Sequence, residues 1–510
     1  MKNDEFIQEY SKVIAASASH FNELGWWSTL ISSKDRFLCP LQDYFFDLYS
    51  SKGALFSPKT RIKELIKFCL IPWLFLYRLV VLKIIFNNRY KRNVIKNTRT
   101  DYSVFRSFLY NKSLQDDGSY RDVFWGDLIE RANEKSIPNI ILVDPIMPWH
   151  KSLKLASRVD SIFLSLFFLS FNQVFYAQFI LLKCYLAKKP SGIFFKETDV
   201  SKEIFMQYRN DLLSISAYTA MLNFFIYKNI LKRVGASKFY LPYEGLPWER
   251  MAILAFRRYS PDTEIIGYQH AVVSPAALNY FGTRNECSPV PDIVFTLGKE
   301  TKNIIDRYNK DTRLKYEVAG ALRFKTRSKS IHLEPIERGS KTILIALEGT
   351  VSCADFLNET LKGLFDLKEW RVVIRTHPML PFEKLEKFID KKFYDKELIE
   401  ISRGKSLKED LLRSGVVFYW GSTVSLEALE LGVPLINYTN NESSLNYDPN
   451  FLFDEFKWSF TTSSEIPVLL NLITNFSDQD YRLGQDRALK YVKSYFYPVD
   501  NETLDRMLDY

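Results

Sequence analysis

Two polar segments that each follow a short apolar run are the parts of this chain best suited to chemistry. Arg375-Thr376-His377-Pro378 follows one run, and Gly421-Ser422-Thr423 follows another and precedes a helical pattern. A strand that ends in a polar loop at a helix N-terminus can bind anions, because free backbone N–H groups and the helix dipole favour a phosphate there. The pattern predicts a nucleotide-phosphate site. Its predicted members are Arg375, His377, Pro378, Gly421, Ser422, Thr423, Ser425 and Glu427.

Both segments also have a plainer interpretation. Ser422 or Thr423 is the natural N-cap of the following helix, and capping uses the same geometry as phosphate binding, so the two roles do not exclude each other. Pro378 keeps His377 out of helical geometry and near the strand end. At that position His377 either donates to a phosphate or is an incidental part of a turn.

A second group of candidates lies at two strand ends earlier in the chain. Tyr243-Glu244-Gly245 follows one predicted strand, and a carboxylate there faces the ligand crevice, where partial burial raises the pKa into the range of a general base. Glu249 is a further candidate, and for both Glu244 and Glu249 the alternative is capping of the following helix. Gln269 and His270 end the next strand and are candidates for an acceptor-binding or auxiliary role, or are simply buried polar residues.

Strands alternate with helices of 10–15 residues from about residue 136 onward, which predicts parallel α/β sheets. At 510 residues the chain is too long for one ordinary core. We predict a mainly helical region at 1–135, an α/β domain at 136–330 and a second α/β domain at 331–510, with a polar linker at 326–341. A final helix at about 483–496 is expected to cross back to the first domain.

The net charge of +9 is concentrated around residues 59–96, where basic residues flank a long apolar run. Pro72, Arg78 and Lys83 interrupt this run, so it is interpreted as a segment on an anionic membrane surface, as a buried helical hairpin or as a membrane span. The apolar stretch 161–182 is interpreted as a core helix. No nucleic-acid-binding motif is evident, and the N-terminus lacks the apolar stretch of a signal peptide, which predicts a cytoplasmic protein.

Other chemistries fit the sequence less well. Walker, GxGxxG, HExxH and GxSxG motifs are absent, and the five cysteines include no CxxC pair and are interpreted as reduced thiols. Asp478-Gln479-Asp480 is a weak metal candidate in a polar loop. We therefore expect a reaction without a metal or an organic cofactor.

The YEG, RTHP and WGSTVSLEALELG elements, in this order, resemble those of GT-B glycosyltransferases. They are most similar to bacterial sialyl-, polysialyl- and Kdo-transferases of surface-polysaccharide synthesis. The resemblance implies a GT-B fold, with two Rossmann-like domains facing a central cleft, here preceded by a helical N-terminal extension. One departure is that Tyr243 precedes Glu244, where these families often have a second acid.

The resemblance also implies roles for individual residues. Glu244 would be the general base, His377 would bind the donor phosphate and assist departure of the nucleotide, and Ser422 and Thr423 would hold the same phosphate. The donor would be a CMP-activated ulosonic acid such as sialic acid or Kdo. The acceptor would be an O-antigen, capsule or lipooligosaccharide glycan, free or lipid-linked, at the inner face of the bacterial inner membrane.

Two alternatives remain open. The YQH and RTHP elements also resemble CDP-glycerol- or CDP-ribitol-type polyol-phosphate transferases, in which His270 would be the base. The other alternative is a non-catalytic scaffold of a polysaccharide assembly complex. The inverting or retaining outcome stays open as well.

Overall fold

The computed structural model separates the chain into two compact units. The first comprises Met1–Ala271, Ala277–Lys325 and Pro498–Tyr510, and the second comprises Val272–Ala276 and Thr326–Tyr497. The predicted linker at 326–341 lies mostly outside the described residues. The structure describes all residues except 1, 35–38, 40, 51–55, 57–61, 95–100, 116–118, 160, 284–286, 325–338, 395–396 and 440–444, and it describes no side chains for 2–3, 62 and 88–94.

The first unit is built on a parallel sheet. Its strands are β1 (Asp101–Leu109), β2 (Asn139–Pro145), β3 (Ile162–Leu164), β6 (Gly235–Pro242), β7 (Glu264–Tyr268), β8 (Ile293–Thr296) and β9 (Lys315–Val318), and a separate hairpin is formed by β4 (Phe194–Phe195) and β5 (Thr198–Asp199). The sheet order is β3-β2-β1-β6-β7-β8-β9. In chain order this is 3-2-1-4-5-6-7, which extends the order of doubly wound Rossmann folds.

Helices precede and connect the strands of the first unit. They are α1 (Lys2–Ser17), α2 (Glu23–Trp27), α3 (Leu30–Ser33), α4 (Leu41–Tyr49), α5 (Ile62–Val94), α6 (Gly126–Glu134), α7 (Trp149–Ala156), α8 (Phe171–Tyr185), α9 (Ser201–Leu212), α10 (Ile215–Leu231), α11 (Pro247–Tyr259) and α12 (Lys299–Tyr308). The stretch 161–182, interpreted as one core helix, instead contains β3, a 3₁₀ turn and most of α8. One side of α8 is exposed.

Strand β1 lies inside the region that the sequence indicated as mainly helical. It pairs with both β2 and β6, so it is an interior strand of the sheet, and residues 1–135 belong to the first unit. Its middle holds the buried residues Ser103, Arg106 and Ser107. These polar residues break the apolar run by which a central parallel strand is normally recognised.

The second unit has the same construction. Its strands are β10 (Thr342–Ala346), β11 (Arg371–Arg375), β12 (Ile399–Ile401), β13 (Val416–Tyr419), β14 (Leu435–Tyr438) and β15 (Lys457–Phe460). Its helices are α13 (Cys353–Leu364), α14 (Phe382–Leu385), α15 (Leu407–Leu412), α16 (Val424–Glu430), α17 (Ile466–Thr474) and α18 (Asp478–Tyr495). The order β12-β11-β10-β13-β14-β15 is parallel throughout and corresponds to the Rossmann order 3-2-1-4-5-6.

The strands form because their side chains are apolar on both faces, as buried parallel strands require. In β10 and β13 the residues Ile343, Ile345, Val416 and Phe418 are fully buried in one core with the inner face of α13. The two parallel sheets and the helical N-terminal segment confirm the predicted α/β fold class with two Rossmann-like sheets.

The chain ends in the first unit, but by a different helix from the one predicted. Helix α18 covers the predicted 483–496 and stays in the second unit, where Gln485 Nε2 donates to the Gly432 carbonyl at 3.1 Å. After Pro498 a last helix, α19 (Asn501–Asp509), belongs to the first unit. There Asp505 accepts from Arg131 Nε on α6 at 2.7 Å.

Candidate functional site

The strand order of the second unit places a crevice between β10 and β13. From β10 the chain proceeds to β11 and β12 on one side, and then returns to β13 on the other. Ligands of open α/β sheets bind at such a reversal point, beyond the carboxyl ends of the strands. Glu348-Gly349 follows β10 there, and Gly421-Ser422 follows β13.

Glu348 is the central side chain of this crevice, and the sequence reasoning missed it. Its Oε1 accepts the Gly421 backbone N–H at 2.7 Å, whereas Oε2 is buried without a hydrogen-bond partner among the described residues. Burial raises the pKa of Glu348 to about 7, against the lowering effect of backbone N–H groups around Gly421. The available signal was an acid two residues after the strand TILIA.

His377 lies beside Glu348 in the sheet, at the end of the neighbouring strand β11. Its imidazole Nδ1 accepts the Met379 backbone N–H at 3.2 Å, which fixes the ring in the exposed turn. A Cβ atom on Gly349 would stand 2.9 Å from that Nδ1. The close approach of the imidazole therefore requires glycine after Glu348, and it brings the predicted His377 to the crevice.

The loop after β13 combines capping with an open hydroxyl. Ser422 Oγ accepts the Val424 N–H at 3.3 Å, whereas Thr423 is the N-cap of α16 without a side-chain cap bond and is exposed. Ser425 is buried, and its hydroxyl donates to the Ser422 carbonyl at 2.8 Å and accepts from Asn450 Nδ2 at 2.7 Å. Ser425 thus holds the loop, and Thr423 is the hydroxyl that faces outward.

The other predicted members of this site have different positions. Arg375 Nη1 donates to Asp410 Oδ2 at 2.6 Å and to the Ser402 hydroxyl and the Lys405 carbonyl. All three partners follow β12, so the structure engages Arg375 in holding that edge of the sheet. Pro378 is exposed in the turn after His377, and Glu427 is half-buried on α16.

The first unit brings Glu244, His270 and Arg323 together at the carboxyl ends of its strands. His270 Nε2 lies 3.2 Å from Glu244 Oε1, and the Glu244 side chain is 25% exposed. Burial raises the pKa of Glu244 to about 7, with Arg323 opposing that rise. Burial and then Arg323 lower the pKa of His270 to about 3. At neutral pH the imidazole is therefore uncharged, and the carboxyl group is poised between its two protonation states.

Arg323 was also missed by the sequence reasoning. It lies in the 3₁₀ turn Leu322–Phe324 after β9, with its guanidinium 5.3 Å from the Phe124 ring centroid. The same ring packs edge-on against His270 at 4.8 Å. The available signal was an arginine five residues after the last strand of the sheet, but it lies next to the polar segment that was interpreted as a linker.

Glu249 serves as the structural support of Glu244. It is buried, and one carboxylate oxygen accepts the backbone N–H groups of Glu244 at 2.8 Å and of Leu246 at 3.0 Å. Gly245 between them has a φ of +73°, and a Cβ there would overlap the Asn279 carbonyl oxygen. The turn that presents Glu244 therefore depends on both residues.

Gln269 is fully buried and contributes to the sheet rather than to an open surface. Its Oε1 accepts the Leu297 N–H at 3.1 Å, and its Nε2 donates to the Ala271 carbonyl. These bonds fix the strand end that carries His270. Of the candidates Glu249, Gln269 and His270, it is His270 whose side chain contacts the Glu244 carboxylate.

Comparison with known proteins gives no family. No family model matches the chain, and no curated protein matches it by sequence. Among solved structures, a UDP-N-acetylglucosamine 2-epimerase has a TM-score of 0.43 at 11% identity, covering 80% of this chain and 95% of its own. A UDP co-structure of S. aureus MnaA has a TM-score of 0.42 at 10% identity, with 80% and 95% coverage. The calicheamicin glycosyltransferase CalG4 has a TM-score of 0.41 at 10% identity, with 80% and 98% coverage.

These likenesses are too weak to carry an argument, because every TM-score is below 0.5. The fold is established by the strand order of the two sheets. Function must be inferred from the side chains at their carboxyl ends.

Proposed function

We propose that this protein is a glycosyltransferase that uses a nucleotide sugar. The observation that carries the proposal is the Glu244–His270 pair, in which a carboxyl group with a pKa of about 7 lies at the carboxyl edge of a Rossmann-like sheet. A general base works best when its pKa is near the operating pH. Glu244 has that property, and the crevice of the second unit supplies the His377 imidazole and the Thr423 hydroxyl, which are suited to a phosphate.

In the proposed reaction, the Glu244 carboxylate removes the proton of an acceptor hydroxyl. The acceptor oxygen forms a bond to the anomeric carbon of the donor sugar, and the bond from that carbon to the nucleotide phosphate breaks. The departing phosphate oxygen takes the electron pair. His377 and the hydroxyls of Ser422 and Thr423 bind that phosphate and stabilise the charge that develops on it.

For the donor we propose a CMP-activated ulosonic acid, and for the acceptor a surface glycan, with transfer on the cytoplasmic side. The support is the resemblance of the YEG, RTHP and WGST elements to sialyl-, polysialyl- and Kdo-transferases. A second support is that Glu244, His377 and Thr423, which belong to those elements, lie at the carboxyl edges of the two sheets. The reaction needs no bound cofactor.

Polyol-phosphate transfer with His270 as the base is the second candidate. The contact between His270 and Glu244 favours it, because it brings His270 to the same site. However, an imidazole with a pKa of about 3 is a weak base at neutral pH. Between the two side chains, Glu244 is the stronger candidate for the base.

A ligand panel tests the nucleotide part of the proposal. We expect CMP to raise the melting temperature of the full chain more than CDP, UDP or GDP. A ligand present at 100 times its Kd adds about 2.7 kcal/mol to the free energy of unfolding. The variant Thr423→Val, which keeps the shape and removes the exposed hydroxyl, should reduce the shift. The matched control Thr360→Val removes a buried hydroxyl of α13 that bonds the Phe356 carbonyl and should leave the ligand-induced shift intact.

Two other outcomes of the panel would contradict parts of the proposal. Stabilisation by CDP alone would favour the polyol-phosphate class and contradict glycosyl transfer from a CMP sugar. Stabilisation by none of the four nucleotides would favour a non-catalytic scaffold and contradict the proposal as a whole.

A further inference from the structure

Helix α5 carries an apolar face that the first unit does not cover. The exposed residues of this face recur every three or four positions, so they share one side of the helix. They are Ile66, Leu70, Trp73, Tyr77, Val80 and Ile84. A helix on the surface of a soluble domain normally turns polar side chains outward. An outward face of large apolar side chains, with Ile84 76% exposed, indicates that a partner covers it.

The opposite face of α5 is bound to the unit along most of its length. Phe68, Leu79 and Phe86 are buried. Gln178 Nε2 donates to the Phe68 carbonyl at 2.9 Å, and Lys83 Nζ donates to the Phe167 carbonyl at 2.5 Å. The segment Lys63–Asn87 is long and apolar enough to cross a bilayer. Because it is held against the folded unit near both ends, it would have to lie parallel to a membrane surface.

Helix α8 extends the apolar surface next to α5. Its exposed residues also lie on one side of their helix and just beyond its end. They are Phe171, Phe175, Tyr176, Phe179, Leu182 and Leu186. The rings of Trp73 and Phe175 pack edge-on with centroids 5.3 Å apart, which joins the two helices into one surface. These twelve side chains form the α5–α8 face, and a contiguous apolar surface of this kind marks an interaction site.

Charge around the α5–α8 face identifies the partner. Within 63–87 the basic residues are Lys63, Lys67, Arg78 and Lys83, against one acid, Glu64. Between 161 and 196 the sequence has no acid; Lys183 lies between the last two apolar residues of the face, and Lys188 and Lys189 follow them. An apolar face bordered by cations matches the interface of a bilayer with anionic headgroups. A protein partner would need an acidic rim around an equally large apolar surface.

A cavity of about 370 Å³ lies at the edge of the face, where α5, α8 and the end of α10 meet. Lys83, Lys232 and Arg233 line it together with the polar residues Ser170 and Asn229, and none of the described residues that line it carries a carboxylate. Phe171 belongs both to this cavity and to the α5–α8 face. A phosphate bound among the three cations would therefore have its lipid chains next to exposed aromatic side chains.

We propose that the α5–α8 face binds in the plane of an anionic phospholipid bilayer and that the cationic cavity receives a lipid phosphate headgroup. This assignment is independent of the proposed reaction, because binding to lipid needs neither a nucleotide nor an acceptor glycan.

Sedimentation with vesicles tests the apolar face. We expect the full chain to sediment with vesicles of phosphatidylcholine and about one third phosphatidylglycerol, and to remain in solution with phosphatidylcholine alone. The double variant Leu70→Glu/Ile84→Glu replaces two exposed side chains and should abolish sedimentation. The matched control Val468→Glu changes an exposed apolar side chain of the second unit and should sediment like the unmodified chain. Circular dichroism of each variant checks that it is folded.

The cavity is tested separately. Each cation near the membrane surface contributes about 1 kcal/mol, or about fivefold in partitioning, so Lys232→Gln/Arg233→Gln should weaken binding to anionic vesicles about 25-fold. The control Lys202→Gln neutralises an exposed lysine on α9 and should leave partitioning unchanged. An equal loss in the control would mean that only the net charge matters, which would contradict a headgroup cavity.

Two further results would overturn the membrane proposal. One is failure of the unmodified chain to sediment with anionic vesicles. The other is sedimentation velocity that shows a dimer for the unmodified chain and a monomer for Leu70→Glu/Ile84→Glu without lipid, because the face would then bind a second copy of the chain.

Discussion

Replacing Glu348 with glutamine should stabilise the second unit relative to the unmodified chain, by an amount that grows as the pH rises. Burial raises the pKa of Glu348 from 4.5 to about 7, so between these values the folded protein holds a proton that the unfolded chain has released. Stability then falls with increasing pH, by about 1.4 kcal/mol per pH unit inside that window. Between pH 5 and pH 8 the unmodified chain should lose about 2.5 kcal/mol through this one group.

Glutamine removes the titration and keeps the hydrogen bond. Its Oε1 can still accept the Gly421 N–H, which Glu348 binds at 2.7 Å, so the variant and the unmodified chain should have nearly equal stability at pH 5. At pH 8 the variant should be more stable. For a domain of about 150–250 residues, at about 2–4 °C per kcal/mol, the difference amounts to about 5–10 °C in melting temperature.

Differential scanning calorimetry from pH 5 to pH 8 measures this difference. Two units can unfold in separate transitions, and Glu348→Gln should move only the transition of the second unit. The control Glu383→Gln changes an exposed glutamate of the same unit and should give a difference that does not vary with pH. A Glu348→Gln difference that is constant from pH 5 to pH 8 would refute the burial of this carboxyl group.

Three other predictions concern the two strand-end sites. The kcat/KM of transfer should fall about tenfold per pH unit below about pH 7, since Glu244 with a pKa of about 7 must be ionised to act as a base. A pH profile that is flat between about pH 5.5 and about pH 7 would contradict this role. Gly349→Ala should weaken nucleotide binding measured by calorimetric titration, because its Cβ would stand 2.9 Å from the His377 Nδ1; unchanged affinity would show that the imidazole position is not needed. Gly245→Ala should destabilise the first unit by about 1–3 kcal/mol in denaturant titration, and more than Gly192→Ala, which has a similar φ of +80° but no atom within 4 Å of its Cβ; equal losses would mean that strain alone acts there.

The sequence was most informative where apolar runs end in polar loops. The ends of β6, β7, β11 and β13 were identified in this way, because a buried parallel strand is nearly continuous in apolar residues and its carboxyl end must leave the core. Those four ends carry Glu244, His270, His377 and Ser422. The α/β class and the presence of two sheets followed from the same alternation of strands and helices.

The parts that could not be predicted depend on contacts between distant residues. Strand β1 has a buried arginine, Arg106, whose guanidinium stacks 4.9 Å from the Trp248 ring centroid and pairs with Asp144, and no local pattern reveals such partners. The ion pair of Arg375 with Asp410 joins residues 35 positions apart. In the same way, no periodic pattern in the sequence indicates that a single acid such as Glu348 accepts a hydrogen bond from the distant Gly421 loop.

Turnover by Glu244→Gln tests the central proposal most directly. Release of free nucleotide from the CMP sugar in the presence of an acceptor glycan should fall by at least about 100-fold, the usual contribution of a positioned general base, while the melting-temperature shift with CMP stays the same. Glu134→Gln, which changes an exposed glutamate of the same unit, should retain full turnover. Full turnover by Glu244→Gln, with CMP binding intact, would contradict the assignment of Glu244 as the base.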